Sequence, residues 1–145
     1  MSSKINYDLF KIVLCRTSHP GNIGSTARAV KTMGFEHLTL VNPKQFPHPD
    51  ADALAAGAED ILANATIVNS IEDALKDSHL IIGFTARQRE LSQPHQNIRK
   101  IAKGLKSESH SKKIALLFGN ETNGLSNDEI KHCHILGYIN SNENY

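Results

Sequence analysis

The chain has 145 residues, 39% of them hydrophobic and 21% charged, with 16 Lys and Arg against 15 Asp and Glu. That size and balance describe one globular domain able to bury about two thirds of its unfolded surface, and exclude a disordered chain. A formal net charge of +1 means that any affinity for nucleic acid must come from how charges are grouped, not from their sum.

Apolar runs and helical patterns alternate along the chain. Strands are predicted at Lys11–Cys15, His37–Val41, Ala65–Val68, Leu80–Phe84, Ile114–Phe118 and Ile135–Ile139. Helices are predicted at Ile23–Met33, Asp50–Ala56, Ile71–Lys76, Gln96–Gly104 and Asn127–Cys133. Ser70-Ile71-Glu72-Asp73 and Ser126-Asn127-Asp128-Glu129 have the spacing of capping boxes, the first in an Asp variant. Gly34 and Gly104 suit the positions just past the first and fourth helices. Asn42–Pro49 and Ser107–Lys113 read as loops. Short apolar strands alternating with helices imply an α/β domain, a parallel sheet covered on both faces, with no second domain or internal repeat.

Ligands of such sheets collect outside the carboxyl ends of the strands, and the unusual residues fall there. After the first strand come Arg16 and the run Ser18-His19-Pro20-Gly21-Asn22-Ile23-Gly24, with Arg28 further on. Asn22 suits an N-cap, Gly21 and Gly24 allow a ligand or second backbone to come close, and Arg28 could grip phosphate or steer an oxygen nucleophile. The plain alternative is an ordinary strand-to-helix turn with a solvated arginine. After the fourth strand comes Thr85-Ala86-Arg87-Gln88-Arg89, whose arginines could bridge phosphates or simply be solvated. After the fifth comes Gly119-Asn120-Glu121-Thr122-Asn123-Gly124-Leu125, a loop able to hydrogen-bond a flat heterocycle and a ribose, or only a glycine-rich lead into a capped helix.

Other motifs exclude more than they suggest. His132-Cys133-His134 lacks the second ligand pair of a zinc site, so no metal is expected. There is no Gly-Lys-Ser phosphate loop and no Gly-x-Gly-x-x-Gly turn, against the common nucleoside-triphosphate and nicotinamide sites. Two cysteines, Cys15 and Cys133, cannot make a disulfide framework and are expected to be buried or inert thiols in a reducing compartment. No apolar stretch approaches a membrane span, and Met1–Lys11 has no signal-peptide core, so the expected location is cytoplasmic, with no membrane partner.

The opening motif and Phe118–Leu125 occur together with Ala27-Arg28-Ala29, Lys31-Thr32-Met33-Gly34, Leu40-Val41-Asn42-Pro43, Ala55-Ala56-Gly57-Ala58, Thr85-Ala86-Arg87 and Gly124-Leu125-Ser126. With them the chain resembles the SPOUT superfamily of RNA methyltransferases. Within it the chain is similar to the branch that methylates ribose 2′-hydroxyls (the TrmH family), nearest the TrmJ-type tRNA (cytidine/uridine-2′-O) methyltransferases. The resemblance implies a parallel-sheet SPOUT (α/β-knot) methyltransferase fold over residues 1–145. It implies S-adenosylmethionine bound by Gly83, Thr85 and Ala86, by Gly119, Asn120, Glu121, Gly124 and Leu125, and by Ile139. It implies RNA, tRNA foremost, held by Arg16, Arg28, Arg87 and Arg89, and a homodimer in which Arg28 reaches across the interface. Arg28, supported by Asn22 and Glu121, would be catalytic. As its pKa exceeds about 12, a positioning and charge-stabilising role suits it, with proton removal aided by a substrate phosphate or Glu121.

The resemblance also implies two departures. A Ser-Ser-Leu-Asn-type third motif is expected directly after Asn144-Tyr145, which makes the C-terminal knot segment incomplete in this chain. Asn120 stands where the TrmJ branch usually has arginine. Ribosomal RNA as the substrate, or a non-catalytic RNA- or cofactor-binding fragment, are the alternatives these leave open.

Overall fold

The computed structural model describes residues 5–85, 95–108 and 112–138, with the side chains of residues 95 and 106–108 left out of account. Seven strands form one parallel sheet: β1 (Phe10–Cys15), β2 (His37–Val41), β3 (Thr66–Val68), β4 (Leu80–Thr85), β5 (His95–Asn97), β6 (Ile114–Phe118) and β7 (Ile135–Tyr138), in the order β3-β2-β1-β6-β4-β7-β5. Among the described residues six helices accompany them: α1 (Pro20–Thr32), α2 (Pro49–Leu54), α3 (Glu59–Ala63), α4 (Ile71–Leu75), α5 (Ile98–Glu108) and α6 (Asn127–Lys131). A single 3-10 turn, Tyr7–Leu9, precedes β1.

Strand alternation divides the core between the two faces. Ile12, Leu14, Leu38 and Leu40 pack under α1, α2 and α3. Val13, Cys15, Val41, Ile81, Ala115, Leu117 and Leu136 face the other way, under α4 and α6. On the first face, beyond a gap, Phe10, Ile82 and Ile114 meet Ile101 of α5. α1 and α2 cross so closely that a Cβ on Gly24 would lie 2.1 Å from the Ala51 carbonyl oxygen. Gly24 therefore admits a second backbone, not a ligand.

Most predicted elements form within a residue or two of their expected limits, and the differences have local causes. Pro20, with its fixed φ and no N–H to lose, opens α1 two residues ahead of Asn22, so the N-cap position is His19 and carries no side-chain cap. The far end of α1 closes as expected, with Gly34 at φ +90 and the amides of Gly34 and Phe35 bonded to Lys31 and Val30 carbonyls. Both capping serines accept the expected amide, and Ser126 and Glu129 satisfy each other reciprocally. Gly104 does not end its helix. α5 runs on to Glu108, taking in Ser107 and Glu108 from the predicted loop, and nothing stands within 4 Å of where a Gly104 Cβ would be. α3 and β5 were not expected: the N-cap position of α3 is Ala58, which supplies no cap, and β5 is the polar tripeptide His95-Gln96-Asn97, which takes Gln96 and Asn97 out of the predicted helix Gln96–Gly104.

Candidate active site

β1, β6 and β4 lie side by side, so their carboxyl ends form one rim. The chain leaves β1 toward β2 and leaves β6 toward β7, on opposite sides of the shared β1–β6 edge. This is the reversal of strand order at which open α/β sheets make a crevice. The two turns that leave β1 and β6 are stitched together there.

Glu121 is the centre of the stitching. Its carboxylate accepts the backbone N–H of Ser18 (2.9 and 3.1 Å), the N–H of His19 (2.8 Å) and the Asn22 side-chain amide (3.0 Å). Burial pushes its pKa up, but the amide donors more than offset this and hold it at about 2. Asn120 supplies a second connection. Its side-chain nitrogen donates to the Arg16 carbonyl (2.8 Å) and to Ser18 Oγ (3.0 Å), while its Oδ1 accepts the amides of Thr122 and Asn123. The loop also closes on itself, Asn120 and Gly124 exchanging backbone bonds of 3.1 and 2.8 Å. A Cβ on Gly119 would fall 2.1 Å from the Gly124 carbonyl carbon, so this closure requires glycine.

Arg16 makes the third connection, one that sequence reasoning missed. Its φ of 57 turns it out of the strand, and its guanidinium donates to Glu129 Oε2 (2.7 Å), Glu129 Oε1 (2.9 Å) and the Gly124 carbonyl (3.0 Å). The Glu129 side chain is only 6% exposed. Burial raises its pKa, yet the bonds from Arg16 and Ser126 prevail and keep it below the ordinary carboxylate range. Arg16 is thereby committed to the fold of the rim, and is not a free cation for phosphate. The signal for its partner was the capping box, which identifies Glu129 as a local cap and says nothing of a residue 113 positions earlier.

Beside the stitched turns lies a cleft of about 970 Å³, in the gap between α1 and α5. Its floor is Ile12, Leu14 and Leu116; one wall is the α1 stripe Asn22, Thr26, Ala29 and Met33; Thr85, Gly119 and Glu121 edge it. Phe84 and Phe118 stack within it, ring centroids 4.9 Å apart and 11° from parallel. Neither phenylalanine was among the expected site residues, although each ends a predicted strand.

The other expected residues divide clearly. Thr85 reaches the cleft. Gly83 is buried inside β4, where a Cβ would meet Cys133 Sγ at 2.6 Å and Leu125 at 2.9 Å, so its missing side chain serves packing against the residues flanking α6 and against Leu136 of β7. The Leu125 side chain is likewise core. Arg28 is exposed on α1, about 600° of helical rotation past Asn22, and lines neither the cleft nor any ion pair among the described residues. Ala86, Arg87, Arg89 and Ile139 lie outside the described residues. His132, Cys133 and His134 diverge: His132 Nε2 meets Glu72 at 3.3 Å, Cys133 donates to the Glu129 carbonyl, and His134 Nδ1 accepts the Ile81 amide. Both cysteines are free and buried, and burial raises both thiols, Cys133 to about 12.

The sequence pattern of the SpoU rRNA Methylase family matches residues 9–145. The chain belongs to this family. Among curated relatives, the tRNA (cytidine/uridine-2′-O-)-methyltransferase TrmJ of Pectobacterium atrosepticum is 46% identical over 138 residues, covering 95% of this chain and 57% of that protein. TrmJ of Sodalis glossinidius is 48% identical over 137 residues, covering 93% and 53%. The chain thus spans about half the length of these SpoU-family relatives. Among solved structures, a probable methylase family protein from Haemophilus influenzae Rd KW20 superposes with a TM-score of 0.88 at 44% identity, covering 97% of this chain and 59% of that one. TrmJ from Z. mobilis ZM4 gives 0.86 at 27% identity, covering 93% and 60%. The parallel-sheet SPOUT methyltransferase fold is the fold of this SpoU-family chain.

Proposed function

We propose that the chain carries the methyl-transfer site of an S-adenosylmethionine-dependent enzyme that methylates ribose 2′-hydroxyls in tRNA. The observation that carries this is the joining of the β1–α1 turn to the β6–α6 loop through Glu121, Asn120 and Arg16, beside a cleft at the reversal of strand order. The choice of tRNA rests on relatives 46–48% identical that are named for cytidine and uridine 2′-O-methylation of tRNA.

The cleft fits the donor's chemistry: a flat pair of aromatic rings suits a heterocycle, and the polar edge at Thr85, Gly119 and Glu121 suits a ribose and a charged group. When bound, S-adenosylmethionine supplies an electrophilic methyl group on a sulfonium. The chain's own part is positioning, since holding the hydroxyl in line makes the transfer effectively intramolecular. The self-closed loop from Gly119 to Gly124 presents backbone groups in a fixed array. Glu121 keeps that array registered against Ser18, His19 and Asn22, and is no proton acceptor: ionised at neutral pH, with its pKa held at about 2 by those N–H donors, it lacks the basicity. Phe84, Phe118, Thr85 and the Gly119–Gly124 loop would hold the donor, which would supply the methyl group, and the proton displaced from the 2′-hydroxyl would pass by way of an RNA phosphate oxygen to solvent water.

Arg28 stabilises the phosphate in this scheme. Its exposure, and its absence from the cleft of its own chain, support action across a homodimer in which α1 of each copy serves the other's site. The setting is cytoplasmic.

The test is calorimetric titration of the chain with S-adenosylmethionine and its demethylated product, followed by transfer of labelled methyl to tRNA and mapping of 2′-O-methylated nucleotides. Arg28→Ala is expected to abolish transfer with little loss of donor affinity. Undiminished turnover in that variant removes Arg28 from the mechanism, and donor binding without ribose methylation of tRNA overturns the substrate. Methylation of ribosomal RNA in place of tRNA has the family's name in its favour and is the second reading.

A further inference from the structure

α5 carries Arg99, Lys100, Lys103 and Lys106 against a single acid, Glu108, in a chain whose 16 basic and 15 acidic side chains nearly balance. At about 100° per residue, Arg99 and Lys103 stand one above the other with Lys100 beside them, opposite Ile101 and Leu105. The apolar side is taken: Ile101 is buried and, with Leu105, packs on Phe10, Ile82 and Ile114 of the sheet. What α5 offers to solvent is its basic side.

What marks these cations is their clustering on one helix side; several cations elsewhere are paired. Lys11, Arg16 and Lys31 each bind an acid. Arg99, Lys100 and Lys103 are exposed and form no ion pair with a described residue. Like charges at i and i+4 on a helix disfavour it, so a cluster without counter-charge among the described residues favours something anionic bound there. Its placement identifies that partner. β5 runs parallel to β7, so α5 begins at the carboxyl edge of the sheet, where Ile98 lines the cleft, and descends along the outside of the domain. The stripe starts at the rim of the methyl-transfer cleft and leads away from it.

We propose that the exposed side of α5, through Arg99, Lys100 and Lys103, is a second contact surface for the phosphodiester backbone of the substrate RNA. It grips the strand beside the nucleotide held in the cleft. The proposal rests on the assignment of an RNA substrate above. Flexible cations on a helix side, with no groove-reading shape, recognise backbone and not sequence. A basic amphipathic helix can also lie on an anionic membrane, but that use needs its apolar side, which the sheet already covers.

The experiment compares binding of an unmodified tRNA transcript, by fluorescence anisotropy between 50 and 200 mM salt, in three forms of the chain. One is unaltered. The second carries Arg99→Gln, Lys100→Gln and Lys103→Gln. The third carries Lys31→Gln, Lys76→Gln and Lys131→Gln, which removes the same charge elsewhere. The α5 variant is expected to lose about tenfold or more in affinity at low salt, and its log–log salt dependence to become shallower by about 2, at roughly 0.7–0.9 per phosphate contact. The control variant should lose far less on both measures, Arg99→Lys should retain affinity, and S-adenosylmethionine binding should stay the same throughout. Equal losses in the α5 and control variants reduce the effect to net charge and overturn the proposal. So does an α5 variant that still binds tRNA with an unaltered salt slope, an outcome that leaves the RNA substrate standing. An unaltered chain that binds S-adenosylmethionine but no RNA strikes instead at the substrate assignment. Binding to phosphatidylserine vesicles that the α5 substitutions abolish, with RNA affinity intact, assigns the surface to lipid and overturns the proposal.

Discussion

The two edges of the sheet use charge in opposite ways. At the amino edge, Lys11 Nζ bridges the Ala74 carbonyl and Asp77, and Lys113 approaches the same Asp77 at 3.7 Å. Apart from the Ala74 carbonyl, these are side chains meeting side chains near water, Asp77 being 49% exposed. At the carboxyl edge, both carboxylates bind backbone: Glu121 holds the amides of Ser18 and His19, and Glu129 holds Ser126 N–H while gripping a guanidinium that also holds the Gly124 carbonyl. Exposed ion pairs contribute little, because water competes for both partners and two long side chains must be immobilised. Carboxylates that accept backbone amides fix the course of the chain itself. The lesson is that the rim expected to do chemistry is the one whose loops are held by charge, while charge at the opposite rim decorates strands that the core already holds.

Removing Arg16 should break the comparison most severely. Arg16→Ala leaves Glu129 buried without its guanidinium and frees the Gly124 carbonyl, and the loss of one partner of such a pair costs about 3 kcal/mol. The urea midpoint should fall with little change in slope, and S-adenosylmethionine affinity should fall with it because the Gly119–Gly124 loop loses a fastening. Arg16→Lys, which restores the charge but not the two-pronged contact, should recover only part of the loss.

Glu121→Gln comes next, at about 1–2 kcal/mol, since it keeps an acceptor for some of the amides but loses the charge that strengthens each bond. The pH dependence sharpens it. Both carboxyls have folded pKa values below their ordinary ones, Glu121 at about 2 against 4.5. A carboxyl lowered by folding stabilises the folded state above its unfolded pKa, and that contribution is lost as pH falls through the folded value. Stability should therefore decline between about pH 4.5 and pH 2, and the decline should be shallower in Glu121→Gln. Thermal melts of both proteins across that range measure the difference.

The middle of the sheet was legible because β1, β2, β4 and β6 are short apolar runs largely buried on both faces, a pattern that needs no knowledge of partners. α1 was legible at its end from Gly34 but not at its start, where proline outranked asparagine. α3 and β5 were hidden for want of a cap and of apolar residues. The site was legible only in part. Asn22, Asn120 and Glu121 sit on glycine-bearing turns at strand ends, and such turns announce themselves. Gly83 looked like one of them, yet its bare Cα makes room for Cys133 and Leu125. Arg16 looked like a free cation because its partner, Glu129, lies 113 residues away and already had a local explanation. Pairings of that kind are made by the strand order that sets β1 beside β6, and a single sequence carries no local trace of it.

Asp77→Asn probes the quiet side of the comparison. It removes the charge that Lys11 and Lys113 share, and the neighbouring lysines lower the Asp77 pKa, Lys11 foremost, so on those grounds alone a sizeable effect could be expected. Exposure argues the other way. The side-chain amide introduced there would still accept from Lys11, whose ammonium also keeps the Ala74 carbonyl at 2.8 Å, and water can solvate what remains. The expected loss is under about 1 kcal/mol, shrinking further in high salt, with no change in S-adenosylmethionine affinity. A larger loss that salt does not diminish would mean that the amino edge is organised by charge as firmly as the carboxyl edge, and the contrast between them would fail.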